Sequence, residues 1–375
     1  MNPPRIDLVA GARPNFMKLA PIVRALVEDG RLRWRIVHTG QHYDRDMNEV
    51  FFEELGIPAP DVRLEAGGGS HATQTAKIMT AFEELCRIDP SDAVLVVGDV
   101  NSTLACSIVA KKLCIPVAHV EAGLRSGDMA MPEEINRLVT DSISDWFFVT
   151  EPSGMRNLLR EGKSPAVVHE VGHVMVDNLL YQAKRLAEMD VSTLESDVFK
   201  RAHRTYGVVT LHRPSNVDSR EGLERVALSL REISQRMPLA FPVHPRTHAN
   251  LEKFDVNLGP RVELMSPQPY MSFLHLWKDA VVVLTDSGGL QEETTALGVP
   301  CITLRENTER PITVDEGTNT LAGILPQRVI RLAVEAIEGR AKSGRRPALW
   351  DGHAARRIVD ILARTLIREP DPSST

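Results

Sequence analysis

The chain has 375 residues, 43% hydrophobic and 25% charged, with a formal net charge of −6 at pH 7. That length suits two domains with substantial cores, and the acidic balance argues against a general nucleic-acid or membrane-surface binder. No run approaches the ~18 apolar residues of a membrane span. Met1-Asn-Pro-Pro-Arg-Ile lacks the apolar core of a signal peptide. Cys86, Cys106, Cys114 and Cys301 sit in apolar contexts without C-x-x-C spacing. Together these features predict a cytoplasmic protein whose cysteines are reduced core residues.

Ile6-Asp-Leu-Val-Ala-Gly runs into Ala12-Arg-Pro-Asn-Phe-Met-Lys, and Ile22, Val23 and Leu26 then recur at helical spacing. This predicts strand, tight glycine turn and helix. Backbone N–H groups at such a helix start favour an anion, and Arg13 and Lys18 add positive charge; a βα turn with solvated bases is the plainer alternative. Arg35-Ile-Val-His-Thr-Gly-Gln-His reads as a second strand and turn, followed by a helical pattern over 47–55, a flexible loop at 67–70 and a helix over 73–88. Ala93-Val-Leu-Val-Val-Gly-Asp-Val is continuously apolar, as a fully buried strand is. Asp99 at its end reads equally as the N-cap of the next helix or as a catalytic carboxylate.

Residues 119–137, His-Val-Glu-Ala-Gly-Leu-Arg-Ser-Gly-Asp-Met-Ala-Met-Pro-Glu-Glu-Ile-Asn-Arg, follow another short strand. They gather Glu121, Arg125, Glu133, Glu134 and Arg137 around Gly123, Gly127 and Pro132. Charges at a strand's C-terminal end lie where open α/β sheets bind ligands. Glu133 and Glu134 follow a proline at a helix start, where the dipole favours an ionised base, and the arginines suit an anionic substrate. The first ~165 residues thus alternate strand and helix, the pattern of a doubly wound parallel sheet. His169-Glu-Val-Gly-His matches the H-E-x-x-H zinc signature, which requires a helix; here Pro165, Val167, Val168 and Gly172 indicate strand into turn, so no metal is expected.

The second half repeats the pattern. One strand delivers His212 and Arg213 to its end, another His244 and Arg246. A buried strand, Val281-Val-Val-Leu-Thr-Asp, opens into Ser287-Gly-Gly-Leu-Gln-Glu-Glu. A hydroxyl, two residues without Cβ and free helix N–H groups make an anion pocket at Ser287, Gly288 and Gly289. Glu292 suits a sugar hydroxyl, a nucleotide ribose being the natural candidate. Arg305, Glu309 and Arg310 are placed to close over phosphates. A final amphipathic helix spans 354–367. Two doubly wound domains, with facing strand ends forming a cleft, suggest a nucleotide-diphosphate ligand and carboxylate acid–base chemistry.

Gly11-Ala-Arg-Pro-Asn-Phe-Met-Lys, Thr39-Gly-Gln-His, Val97-Gly-Asp, His119-Val-Glu-Ala-Gly-Leu-Arg-Ser, Met131-Pro-Glu-Glu-Ile-Asn-Arg, Leu211-His-Arg, His244-Pro-Arg and Thr285-Asp-Ser-Gly-Gly-Leu-Gln-Glu-Glu occur in order. From about residue 6 to 365 the chain resembles the non-hydrolysing UDP-N-acetylglucosamine 2-epimerases. The resemblance implies a GT-B fold of two Rossmann-like domains, 1–171 and 172–353, with helix 354–367 packing back on the first. It implies inversion at C2 of a UDP-N-acetylhexosamine by elimination of UDP to a 2-acetamidoglucal and re-addition, without NAD or metal, in a homodimer. Motif matching places catalytic roles on Asp99, Glu121, Glu133 and His212. It places diphosphate contacts on Arg13, His212, Arg213, Ser287, Gly288 and Gly289, and a ribose contact on Glu292. Gln41 and His42 match part of a site where some members bind a second UDP-GlcNAc. Asp44 replaces a common Gln there, and 67–70 lacks the matching Arg, which argues against substrate activation. His173 replaces a usual Asn. The loop over 127–133 is shorter than in the better-known members, as in relatives acting on diacetamido-uronic acids.

Three alternatives follow. A 2-epimerase of such a modified UDP-sugar would share every motif. A GT-B glycosyltransferase would share Ser287–Gly289 and Glu292 but need no trio of carboxylates. A non-catalytic UDP-sugar binder would have lost those acids. The hydrolysing relatives lack the Arg13-Pro…Lys18 pattern.

Overall fold

The computed structural model describes residues 2–41 and 49–367. The chain forms two compact units, Met1–Asn178 with Leu349–Thr375, and Leu179–Ala348. The first unit runs β1 (Arg5–Ala10), α1 (Arg13–Asp29), β2 (Arg33–His38), α2 (Glu49–Leu55), β3 (Val62–Arg63), α3 (His71–Ile88), β4 (Ala93–Val97) and α4 (Asn101–Lys112). It continues with β5 (Val117–Val120), α5 (Pro132–Ile143), β6 (Trp146–Val149), α6 (Pro152–Arg160), β7 (Val168–Glu170) and α7 (Val174–Glu188), which carries the chain into the second unit.

All five residues of β4 are buried. A parallel strand covered by helices on both faces has no polar side to alternate with, which is why it reads as a continuous apolar run. The sheet is parallel with order β3-β2-β1-β4-β5-β6-β7. The order reverses between β1 and β4. Connections leave those strands toward opposite faces, so a crevice opens at their C-terminal ends. The turns at 11–12 and 98–100 lie there. Asn15 ties the two together: its Oδ1 accepts from the Gly11 and Ala12 amides at 3.1 and 3.0 Å, and its Nδ2 donates to the Val97 carbonyl at 3.2 Å.

The second unit runs α8 (Glu195–Ala202), β8 (Gly207–Thr210), α9 (Pro214–Val217), α10 (Arg220–Ser234), β9 (Leu239–Pro242), α11 (Pro245–Phe254), β10 (Val262–Met265) and α12 (Tyr270–Trp277). It continues with β11 (Val282–Thr285), α13 (Gly288–Leu297), β12 (Cys301–Thr303), α14 (Pro311–Asp315), β13 (Asn319–Leu321) and α15 (Pro326–Ile337). Its parallel sheet has order β10-β9-β8-β11-β12-β13, reversing between β8 and β11. Leu230, Ile233, Leu239, Val282 and Leu284 are fully buried in its core. The chain then returns to the first unit through α16 (Ala354–Leu366). Trp350 Nε1 donates to the Thr150 carbonyl at 3.2 Å and the Ala355 amide to Asp177 Oδ2 at 2.8 Å.

One local expectation is corrected. Cys114 is exposed, with φ 60° just after α4, while Cys86, Cys106 and Cys301 are buried. Residues 67–70 form a loop, as expected, anchored at its ends: Ser70 Oγ caps α3 through the Thr73 amide, and a Cβ on Gly67 would overlap the Gly40 carbonyl at 2.1 Å. The helix after Pro132 starts at that proline, as expected. His169 and Glu170 lie on β7 and His173 precedes α7, so the two histidines share no helix face.

Candidate active site

In the first unit, β5 ends directly on Glu121, whose φ of 68° is in the left-handed region. A non-glycine residue held there costs on the order of 1–3 kcal/mol and persists only when its surroundings over-determine it. The Glu121 and Ala122 amides both donate to the Phe148 carbonyl, at 3.0 and 3.2 Å. The carboxylate is buried and ion-paired with Lys18 from the second turn of α1. Lys18, expected at an anion site, is therefore the counter-ion of Glu121. Gly98 makes room: a Cβ there would lie 3.0 Å from Lys18 Nζ, and its φ of 68° lies in the left-handed region that glycine adopts without strain.

Asp99 does not cap α4, whose N-cap is Val100. Its Oδ2 receives Arg137 Nε and Nη2 at 3.0 and 2.6 Å. Arg137 also holds Glu134 Oε2 at 2.7 Å, and Asn136 Nδ2 donates to the Asp99 carbonyl at 2.8 Å. Of the Glu133–Glu134 doublet, Glu134 is the one fixed in place. Its oxygens accept the Ser126 and Gly127 amides at 3.0 and 2.9 Å. Burial opposes its ionisation, but those amides and Arg137 outweigh it and hold the carboxyl below its ordinary range. Glu133, half-buried in the first turn of α5, has no hydrogen-bond or ion-pair partner among the described residues. Arg125, expected to hold substrate, is engaged by Asp141 Oδ2 at 2.8 Å and Glu161 at 2.7 Å. The Arg13 guanidinium lies over the Phe51 ring, 5.0 Å from its centroid. Gln41 is buried and its Oε1 accepts from the Ser102 amide and hydroxyl at 3.0 and 2.7 Å, an internal role. His42 and Asp44 lie outside the described residues.

In the second unit, Asp286 organises the turn after β8. It accepts from the His212 amide at 3.1 Å, the Arg213 amide at 3.0 Å and Asn216 Nδ2 at 2.9 Å, and it faces His212 Nδ1 at 3.1 Å. Burial would raise its carboxyl, but the donors from His212 and Asn216 keep it low. Ser287 is the N-cap of α13, its side chain making no cap bond. A Cβ on Gly289 would meet open space, so nothing in the protein's own packing requires glycine there. Glu292, expected at a ribose, forms a buried ion pair with Arg310. Glu309 lies against Gly288, its Oε1 3.1 Å from where a Cβ would stand, with Arg305 Nη2 at 2.7 Å and Arg213 Nη2 at 3.9 Å. Burial opposes its ionisation; Arg305 and Arg310 win and pull the carboxyl down to about 2. His244 caps α11 through the Arg246 amide at 3.2 Å. Beside it, an open cavity of about 390 Å³ has His248, Glu252 and Ser266 on its polar side and is otherwise lined by Val243, Pro245, Ala249, Leu264, Met265 and Pro267. Sequence reading did not single out these apolar residues, because a lining residue and a core residue look alike in sequence.

Residues 24–363 match the family model of UDP-N-acetylglucosamine 2-epimerase. The chain belongs to this epimerase family. It is 41% identical over 364 residues to the UDP-N-acetylglucosamine 2-epimerase of Methanocaldococcus jannaschii, covering 96% of this chain and 98% of that one. It is 38% identical to the UDP-2,3-diacetamido-2,3-dideoxy-D-glucuronate 2-epimerase of Pseudomonas aeruginosa, covering 96% and 99%. The crystal structure of the M. jannaschii enzyme in complex with UDP-GlcNAc and UDP matches with a TM-score of 0.83 at 40% identity, over 96% of this chain and 99% of that one. The Neisseria meningitidis epimerase bound to UDP-GlcNAc matches with a TM-score of 0.83 at 28% identity, over 96% and 99%. The two Rossmann-like sheets are those of the GT-B class.

Proposed function

We propose that this chain interconverts UDP-N-acetylglucosamine and UDP-N-acetylmannosamine. A carboxylate removes the C2 proton as the C1–O bond to UDP breaks, leaving a C1=C2 double bond in a 2-acetamidoglucal. A second acid then returns a proton to the opposite face of C2 while a UDP oxygen re-forms the bond to C1. The balance closes without an oxidant or reductant. The observation that carries this reading is the set of three carboxylates at the end of β4, the end of β5 and the start of α5 in a member of this family. Lys18 pairs with Glu121 and Arg137 with Asp99, so each of these two carboxylates is held in place by a cation. Arg213, Ser287, Gly288 and Gly289 stabilise UDP as the leaving group, with His212 beside them. The cavity beside His244 has the size and the largely apolar lining, with a few polar groups, that suit a flat pyrimidine ring. Family resemblance supports a cytoplasmic homodimer; light scattering on the purified protein tests the dimer.

The test is proton NMR of UDP-GlcNAc with the protein in D₂O. Loss of the C2 proton signal with appearance of UDP-ManNAc supports the reading; release of free ManNAc and UDP contradicts it. The likeness to the diacetamido-glucuronate epimerase favours one second reading, a modified UDP-sugar substrate. Faster C2 exchange on that substrate than on UDP-GlcNAc would select it.

A further inference from the structure

We propose that His119 and Asp141 are positioning residues that set the two turns carrying Asp99 and Glu121. This rests on the epimerase reading for its kinetic consequence, not for its geometry. Both side chains are essentially inaccessible to solvent. His119 Nδ1 lies 2.7 Å from Asp141 Oδ1, and Nε2 lies 2.8 Å from the Gly98 carbonyl oxygen. Each ring nitrogen therefore faces an oxygen of a different segment, one from a side chain and one from the backbone. Neither residue reaches the crevice, so neither touches a substrate.

The two contacts divide the work. Through Gly98, His119 holds the peptide immediately before Asp99. Asp141 Oδ2 meanwhile accepts from the Gly123 amide at 3.0 Å and pairs with Arg125 at 2.8 Å. Glu121 sits midway between His119 and Gly123, so a single carboxylate pins both ends of the segment that keeps Glu121 left-handed. Gly123 has little room to shift, since a Cβ there would lie 2.4 Å from the Gly154 carbonyl oxygen. Burial disfavours the Asp141 carboxylate, but His119 and Arg125 outweigh it and hold the carboxyl low. A strained backbone needs surroundings that over-determine it, and this pair supplies them.

Two substitutions separate the contacts. His119→Asn keeps a donor at the Nδ1 position and loses the Gly98 bond; His119→Gln keeps the donor to Gly98 and loses Asp141. Asp7→Asn is the control: the Asp7–Arg35 pair is also buried, with contacts of 3.0 and 2.6 Å, but near the N-terminal ends of β1 and β2 in the same sheet. We expect kcat for UDP-GlcNAc epimerisation to fall about 10²-fold in His119→Asn with KM little changed, because a displacement near 1 Å costs that much. His119→Gln should retain more activity. Asp7→Asn should lower Tm and leave kcat near the wild-type value. Equal kcat losses in Asp7→Asn and the His119 variants would overturn the proposal, as would wild-type kcat in folded His119 variants. Should wild-type protein epimerise no UDP-sugar, the functional reading fails and a crystal structure of the His119 variants still decides the inference. Glu121 leaving the left-handed region supports it; an unchanged Glu121 and Asp99 defeats it.

Discussion

His212 Nδ1 stands 3.1 Å from the fully buried carboxylate of Asp286, leaving Nε2 as the nitrogen free to act. The acceptor selects the tautomer that carries hydrogen on Nδ1, and the same carboxylate anchors the Arg213 amide. Asp286→Asn presents an amide in place of that acceptor. Turnover should fall about 10²-fold or more, with a mixed tautomer visible in the imidazole nitrogen NMR shifts. Wild-type turnover in a folded variant would show that the contact has no catalytic consequence.

Asp99→Asn and Glu121→Gln preserve shape but not basicity. Each should lower turnover at least ~100-fold, in the range of general acid–base effects, with UDP affinity retained. Steady-state kinetics and calorimetric titration with UDP check the two halves. Near-normal rates in folded variants remove those residues from the mechanism.

Glu309 is an internal anion in the pocket proposed for a diphosphate. Like charge at that range opposes phosphate, and Arg305, once freed, becomes a donor to it. Glu309→Gln should therefore tighten UDP about fivefold by titration calorimetry. Weaker binding instead means Glu309 serves mainly to seat Arg305. The folded pKa of about 2 lies below the ordinary 4.5, so the stabilisation from this carboxylate is present above pH ~4.5 and lost as pH falls toward 2. Acid unfolding of Glu309→Gln should show a shallower dependence over that window.

Asp177 behaves oppositely. Burial raises its carboxyl to about 6 from 3.8, although the Ala355 and Ala354 amides lower it. The folded protein binds this proton more tightly than the unfolded chain, so the group's stabilisation is full below pH ~4 and lost as pH rises through 6. Asn still accepts the Ala355 amide. Asp177→Asn should be more stable than wild type at pH 8 by about 1–2 kcal/mol, seen as a Tm higher by a few degrees, and indistinguishable near pH 4.

Local signals carried much of this protein's architecture. Continuous apolar runs such as 93–97, helical spacing such as Ile22–Val23–Leu26, and glycines and prolines at the joints disclosed alternating strands and helices, because period and turn chemistry act within a few residues. The motif order disclosed the family on the same local basis. Pairing across the chain was decided only by the fold. Lys18 and Glu121 are 103 positions apart and meet because β1 and β5 flank β4 at the reversal of strand order. Which glutamate of the 133–134 doublet is anchored depended on where Ser126 and Gly127 place their amides. That Arg125 pairs with Asp141 and Glu161 was likewise decided only by the fold. Strand order leaves no periodic trace in sequence, and a charge next to a glycine reads the same whether its partner is a ligand or a distant side chain.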